Sequence, residues 1–191
     1  MNSFYSTEEL AKIGLKSFGN DVLISKKASI YNPEQIVLGN HVRIDDFCIL
    51  SGQITIGNFV HISAFTAIFA GEAGVEIGDF SGLSSRCAVY AISDDYSGNF
   101  LSNAMAPIEY RNVCSKKVII EKHVIIGTGS TILPGVKIIE GTAIGCMSLV
   151  NKSILIDGIY CGIPARKIKN RQQGYKELES KIKRVRWDVF R

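Results

Sequence analysis

The sequence lacks the features by which membrane, exported and nucleic-acid-binding proteins are usually recognised. No apolar run in its 191 residues is long enough to span a bilayer, and the N-terminal stretch MNSFYSTEELAKIG has no apolar core of the kind found in signal peptides. The net charge of +4 is compatible with an anionic ligand but is too small to indicate nucleic acid. We therefore expect neither membrane insertion nor a nucleic-acid partner.

Cysteines are few and are not arranged in pairs. The five residues, Cys48, Cys87, Cys114, Cys146 and Cys161, are odd in number and never form a C-x-x-C pair. This pattern argues against a disulfide framework or a zinc site and favours reduced thiols in the cytoplasm. The length is that of one domain of ordinary size.

What the chain has instead is a repeat of six residues. Fifteen positions in phase carry Leu, Ile or Val, and the position two before each is usually small or branched. A three-residue insertion near Gly71 and a long break after Val89 interrupt the repeat. The fifteen positions are Leu38, Ile44, Leu50, Ile56, Ile62, Ile68, Ile77, Leu83, Val89, Ile120, Ile126, Ile132, Ile138, Ile144 and Val150.

This repeat predicts an all-β solenoid. Alternation within each hexad indicates a short strand with two inward side chains, and turn residues such as Gly-Asn and Pro-Gly separate the strands. Three hexads per turn give a parallel β-helix of triangular section, and fifteen hexads give about five coils. The β-helix is expected over residues 21–170.

Short helices are expected at both ends. Residues 1–20 contain STEELAKIG, with Ser6 or Thr7 as N-cap and Gly14 as the stop. Residues 171–191 read as a C-terminal helix with an apolar face and a basic, solvated face, and a membrane-surface role is the alternative. The apolar face comprises Tyr175, Leu178, Ile182 and Val185.

The stretch IIGTGSTILPGVKIIEGTAIGCMSLVNKS, followed by GIPARKIK, resembles the hexapeptide-repeat acyltransferases. The likeness is to galactoside and maltose O-acetyltransferases and to the sugar O-acetyltransferases of bacterial surface-polysaccharide pathways, and it covers roughly residues 20–170. The resemblance implies a left-handed coil, a homotrimer, and acetyl-CoA bound as acyl donor in a groove between neighbouring coils.

The resemblance also assigns the donor site. Contacts to the pantetheine arm fall on Thr128, Cys146 and Ser148, with Asn151 and Lys152 close behind. Arg166 and Lys169 would meet the CoA phosphates, because arginine offers forked donors and lysine a point charge. The alternatives are turn or core packing for Thr128 and Ser148, and a solvated surface for the basic pair.

The repeat stops within CAVYAISDDYSGNF. In the resembling acetyltransferases a histidine just beyond the last strand deprotonates the sugar hydroxyl. That slot holds Asp94 here, with Asp95 beside it, and both are catalytic candidates. A carboxylate with a pKa near about 4 is a weaker base than imidazole near about 6.5, unless desolvation or a second acid raises its pKa. Alternatively, Asp94 orients another base, holds an amino-sugar acceptor whose neutral amine is already nucleophilic, or caps a turn with Asp95.

His61 is the second candidate base, because it points outward from a strand toward the place of a neighbouring subunit. An interface hydrogen bond is its alternative role. His61 and His123 would lie two coils apart, about 10 Å at 4.8 Å per coil, which is too far to share a zinc ion. We therefore expect no metal, although γ-class carbonic anhydrases share the coil motif.

Residues 93–117 form a long loop, here named the acceptor loop. Loops of this length in a compact repeat are usually functional. Aromatic, amide and guanidinium groups suit sugar binding, so the substrate candidates are Tyr96, Asn99, Tyr110 and Arg111, joined by Glu72 from the insertion one coil earlier.

These features predict an acetyl-CoA-dependent O-acetyltransferase that modifies a sugar or glycan in O-antigen or capsule biosynthesis. Two alternatives stay open: N-acetylation of a nucleotide-linked amino sugar, and a catalytically silent scaffold. Outward Phe59, His61, Phe65 and Phe69 would need cover, which packing of three coils provides.

Overall fold

The six-residue repeat folds into short strands in the computed structural model, which describes residues 3–184. In chain order the strands are β1 (Ser17–Phe18), β2 (Leu23–Ile24), β3 (Ser29–Tyr31), β4 (Ile36–Leu38), β5 (Arg43–Ile44), β6 (Ile49–Ile56), β7 (His61–Ile62), β8 (Ala67–Ile77), β9 (Gly82–Leu83), β10 (Ala88–Tyr90), β11 (Ile92–Ser93), β12 (Cys114–Ser115), β13 (Val118–Ile120), β14 (Ile125–Ile126), β15 (Thr131–Ile132), β16 (Lys137–Ile138), β17 (Ala143–Ile144), β18 (Leu149–Val150), β19 (Ile159–Cys161) and β20 (Arg166–Lys169).

The strands stack into parallel ladders that confirm the predicted β-helix. One face is built from β2, β5, β7, β9, β14, β17 and β19 in that order. The longer strands β6 and β8 each turn a corner and so contribute to both other faces. The ladders also extend one level before the first predicted hexad, where β1, β2 and β3 pair with β4, β5 and β6.

The core is the inside of the coil. All fifteen predicted inward positions are at most 3% exposed, which confirms the phase of the repeat. Burying one such aliphatic side chain is worth about 1.5–3 kcal/mol, so the stacked rungs provide the main driving force for folding.

The corners carry aromatic rings that the repeat did not indicate. Phe59, Phe80 and His123 take the left-handed backbone conformation, with φ of 56°, 57° and 58°. Their rings stack on one another, with Phe59 and Phe80 centroids 4.8 Å apart and Phe80 and His123 5.1 Å apart. Stacking offsets the cost of this conformation. Phe59, predicted to need cover from other subunits, is half-buried within its own chain by this stacking.

Helix α1 (Thr7–Ile13) begins with Ser6 as N-cap in a capping box with Glu9, and it ends at Gly14 with φ of 87°, as predicted. Helix α2 (Tyr175–Arg184) closes the C-terminal end of the described chain. Neither of these two helices is long and apolar enough to cross a membrane.

Helix α2 is held by a buried polar contact and by only one residue of its predicted apolar face, Tyr175, whose ring centroid lies 4.5 Å from that of His123. His123 Nε2 lies 2.7 Å from Glu179 Oε2, and both side chains are buried. Leu178 and Ile182 stay 59% and 37% exposed, and Val185, also assigned to that face, lies outside the described residues.

The acceptor loop emerges between β10 and β13. It is closed at its base by the antiparallel pair β11 and β12, and it contains a 3-10 turn at Ile108–Tyr110. The three-residue insertion is absorbed within β8, where Gly71 and Gly74 have positive φ. The break in the repeat therefore becomes a separate layer on one side of the coil.

Candidate functional site

A cavity of about 580 Å³ opens where the acceptor loop leaves the coil. Strands β8, β10 and β15 form one wall, and both arms of the acceptor loop form the other. Its lining residues are Phe69, Tyr90, Ile92, Ser93, Asp94, Tyr96, Ala104, Arg111, Val113, Thr131 and Leu133. The structure thus brings together three predicted site residues, Asp94, Tyr96 and Arg111.

Two aromatic residues on neighbouring rungs form the coil side of the cavity. Phe69 follows buried Ile68, and Tyr90 follows buried Val89, so both point outward at matched positions of β8 and β10. Their ring centroids are 5.2 Å apart and the rings are stacked. The sequence does not single out Tyr90, and the six-residue repeat predicts a subunit interface for Phe69. The sequence feature that could have indicated this wall is a pair of outward aromatic residues one rung apart, directly before the repeat breaks.

Asp94 and Arg111 face each other across the loop side of the cavity. Arg111 Nη2 lies 3.4 Å from Asp94 Oδ1, and Nη1 donates to the carbonyl of Ala104 at 3.3 Å. The Arg111 side chain is 19% exposed and Asp94 is 36% exposed. Arg111 Nε is buried and has no hydrogen-bond partner among the described residues. The cavity wall therefore carries a carboxylate and a guanidinium that face each other.

Asp95, the second acid of the pair, is turned into the loop. Its Oδ2 accepts from the Ser97 amide at 2.9 Å and from the Ser97 hydroxyl at 2.6 Å. Ser102 Oγ also donates to the Asp95 carbonyl at 2.6 Å. The Ser97 hydroxyl bond is the main reason that the pKa of Asp95 is lowered. This geometry is that of a turn cap, the alternative that the sequence left open for this residue.

His61 lies away from the cavity described here. Its Nε2 is 2.7 Å from Asp45 Oδ2, and the same carboxylate accepts from Arg43 Nε at 2.7 Å through its other oxygen. The His61 side chain is 49% exposed on β7. Within one chain the structure therefore does not bring His61 to Asp94.

The other substrate candidates are distributed differently. Asn99 and Tyr110 line a second, more open hollow on the acceptor loop, together with Phe100 and Glu109. Glu72 is exposed on the insertion in β8 and does not line either hollow. Only part of the predicted sugar site is therefore assembled at the Asp94 cavity.

The pantetheine candidates lie on consecutive rungs near the C-terminal end of the coil. Thr128 is half-buried, and its carbonyl accepts from the Met147 amide of the next rung at 2.8 Å. Cys146 is exposed on that rung, and Asn151 and Lys152 are exposed just beyond it. Thr128 and Cys146 share one corner of the coil, whereas Asn151 and Lys152 lie at the next corner, after β18.

Ser148 needs a correction. It is 3% exposed, and its hydroxyl donates to the Gly145 carbonyl at 2.8 Å while accepting from the Gly162 amide at 3.1 Å. With its hydroxyl satisfied inside the coil, Ser148 has a structural role rather than the predicted pantetheine contact.

The predicted phosphate partners lie on β20, which runs antiparallel to β19 after the Gly162-Ile163-Pro164 turn. Arg166 and Lys169 are both exposed there. Arg171, two residues farther on, instead donates to the carbonyls of His123, Gly141 and Thr142 and so anchors the start of the C-terminal segment. Among residues 3–184 no group of His, Cys, Asp and Glu is placed to hold a metal ion.

Comparison with known proteins identifies the family, although no family model matches the chain. The chain is 44% identical over 178 residues to a dTDP-4-amino-4,6-dideoxy-D-glucose acyltransferase of Escherichia coli, and the match covers 92% of each chain. AntD, an N-acyltransferase from Bacillus cereus solved with dTDP and 3-hydroxybutyryl-CoA, is 58% identical with a TM-score of 0.93, covering 95% of this chain and 97% of AntD. The polySia-specific acetyltransferase NeuO, 19% identical over 87% of this chain and 94% of its own with a TM-score of 0.57, shares the fold. The chain therefore belongs to the hexapeptide-repeat family of acyl-CoA-dependent sugar acyltransferases.

Proposed function

We propose that the protein transfers an acyl group from acyl-CoA to the amine of a dTDP-linked 4-amino-4,6-dideoxy sugar. The observation that carries this proposal is a sequence identity of 57%, over 95% of this chain, to AntD, whose S84A variant has been solved with dTDP-4-amino-4,6-dideoxyglucose and CoA. The same likeness favours transfer to nitrogen over the transfer to oxygen that the sequence motifs suggest. It also favours an active enzyme over a silent scaffold.

The Asp94 cavity is our proposed acceptor site. Solved variants of AntD include D94A, D94N and S84A, and this chain carries Asp94 and Ser84 at the same numbers. The stacked rings of Phe69 and Tyr90 offer an apolar face, and Asp94 and Arg111 offer a carboxylate and a guanidinium. Apolar walls with a few convergent polar groups are typical of small-molecule sites.

The proposed reaction joins the amine nitrogen to the thioester carbonyl carbon. The carbon–sulfur bond then breaks with CoA leaving as its thiolate, and the nitrogen gives up one proton, which is finally passed to the sulfur to give the CoA thiol. We assign Asp94 as the group that accepts this proton, because its carboxylate is partly exposed at the cavity wall. The acyl donor would lie on the surface of the last coils, near Thr128, Cys146, Asn151 and Lys152, with Arg166 and Lys169 on its phosphates.

The working assembly is proposed to be a homotrimer. Phe65 is 55% exposed and stacks on Phe47, itself 50% exposed, at a ring distance of 5.0 Å. An exposed aromatic pair on a rigid coil is typical of a surface that another subunit covers. We place the reaction in the cytoplasm, in keeping with five cysteines that are all free in the structure.

The proposal is tested by incubating the protein with dTDP-4-amino-4,6-dideoxyglucose and either acetyl-CoA or 3-hydroxybutyryl-CoA. Mass spectrometry should detect the amide, and it avoids the background that exposed Cys114 and Cys146 would give in a thiol-release assay. The matched control is the sugar nucleotide with a hydroxyl at carbon 4. Equal acylation of both compounds would contradict the proposal and would support O-acylation, the activity predicted from the sequence.

A further inference from the structure

We propose that Arg111 sets the charge of the acceptor cavity, so that the amino sugar is bound with its amine neutral and nucleophilic. The inference rests on the proposed function, because it concerns the amine that would receive the acyl group. It assigns Arg111 a role in acceptor selection that is distinct from holding the loop together.

The guanidinium is fixed at the cavity wall. It reaches Asp94 Oδ1 at 3.4 Å through Nη2 and the Ala104 carbonyl at 3.3 Å through Nη1. Its side chain is 19% exposed, and its Nε is buried without a partner among the described residues. Two of its nitrogens are thus held by the loop, which keeps its positive charge beside Asp94.

No other full charge lines this cavity in the described part of the chain. The remaining titratable groups of its lining are the phenols of Tyr90 and Tyr96. The Asp95 carboxylate is hydrogen-bonded to its own turn, and Lys117, at the end of the acceptor loop, forms an ion pair with Glu76. One carboxylate and one guanidinium therefore leave the cavity formally neutral.

This balance decides which form of an amine is bound. Taking an α-amino group, with a pKa of about 7.7–8.0, as the guide, most of such a sugar amine is protonated at pH 7. A lone Asp94 would favour the ammonium ion, which has no free electron pair and cannot attack a thioester. A second positive charge in the same cavity disfavours the ammonium ion. Arginine suits this purpose because it keeps its charge at every working pH.

Binding of the neutral amine from a solution of ammonium ions must release a proton. Titration calorimetry with dTDP-4-amino-4,6-dideoxyglucose, in the absence of acyl-CoA and in buffers of different ionisation enthalpy, measures this release on the wild-type protein. Below the pKa of the free amine we expect a release that approaches one proton per site. The nucleotide with a hydroxyl at carbon 4 should release none. The inference is overturned if binding of the two compounds releases equal numbers of protons, or if binding of the amino sugar nucleotide releases none.

Variants of Arg111 give the second test. With saturating substrates the pH profile of kcat reports groups in the bound complex. The acid limb of this profile is the range in which kcat rises with pH as the bound amine loses its proton. In Arg111→Gln this limb should move to higher pH by about one unit, whereas Arg111→Lys should keep it close to the wild-type position. A uniform loss of kcat with an unmoved limb would mean that Arg111 only holds the loop. Thermal melting shows whether each variant is folded. If Arg111→Gln does not fold, the calorimetry on the wild-type protein decides whether the inference holds. If the wild type acylates no amine at all, the proposed function fails instead.

Discussion

Replacing Asp94 with asparagine should separate catalysis from folding at this site. The change removes the proton acceptor but keeps an oxygen for Arg111 Nη2, now 3.4 Å away. The present ion pair is partly exposed, at 19% and 36% for the two side chains, so its loss should cost less than about 1 kcal/mol. A loss of that size lowers Tm by no more than about 2–4 °C for a chain of this length.

The effect on rate should be far larger. A general base typically contributes about 10²- to 10⁴-fold, which corresponds to about 2.7–5.4 kcal/mol of transition-state stabilisation. We therefore expect kcat for amide formation to fall on that scale, with KM for acyl-CoA nearly unchanged. Steady-state acyl transfer followed by mass spectrometry measures the change in kcat, and thermal melting measures the change in Tm.

Asp95→Asn and His61→Gln are the matched controls. Asp95 is bonded to Ser97 and His61 to Asp45, so both changes alter a local hydrogen bond outside the cavity. Each should leave kcat within a few-fold of wild type. If Asp94→Asn keeps nearly full activity while His61→Gln loses it, the base is His61, supplied across a subunit interface, and the reasoning is refuted.

Further predictions concern the donor site, the thiols, the loop and the assembly. Changing Arg166 and Lys169 together to alanine should weaken CoA binding by about 1.5–3 kcal/mol for each charged hydrogen bond lost, and dephospho-CoA should lose little more in that variant. Calorimetry with unchanged CoA affinity would move the phosphate site elsewhere. Burial raises the pKa of Cys48 and of Cys87 to about 11, so neither thiol should react with a disulfide reagent at pH 8 in the folded protein, whereas the exposed thiols should. Because the folded-state pKa of Asp95 is lowered, its contribution to loop stability is present above about pH 4 and is lost as the pH falls through the folded pKa. The difference in resistance of the loop to an acid protease between wild type and Asp95→Asn should therefore vanish at low pH. Sedimentation should show a trimer, and a stable monomer at micromolar concentration would contradict the assembly proposed here.

The fold could be predicted from the sequence because the residues that determine it recur with a regular period. A coil with a dry interior needs an aliphatic residue at each rung, so fifteen positions in phase specify strands, corners and core together. The same phase already placed Ser148 inside, two residues before Val150. Its buried position follows from the repeat, whereas the family likeness pointed to a ligand contact.

The conformations of the corners and of the acceptor loop could be predicted from the sequence only in part. Aromatic residues rarely adopt positive φ, so nothing local indicates that Phe59 and Phe80 would turn corners. Only stacking along successive rungs makes this conformation favourable. Within the loop no period exists, so the sequence cannot tell that Arg111 faces the Asp94 cavity while its neighbour Tyr110 faces a different hollow.

The departure from the family pattern at position 94 is itself informative about the acceptor. A hydroxyl is hard to deprotonate, so an enzyme that acylates oxygen benefits from a base such as imidazole, with a pKa near about 6.5. An amine is already a nucleophile once neutral, and it loses its proton readily after the nitrogen–carbon bond forms. A carboxylate is then a sufficient acceptor, provided that the cavity does not trap the amine as an ammonium ion. In the role that we propose for it, Arg111, with Nη2 3.4 Å from Asp94 Oδ1, would meet that condition. An aspartate where O-acetyltransferases of this kind keep a histidine therefore agrees with a change of acceptor from oxygen to nitrogen, and does not require a loss of activity.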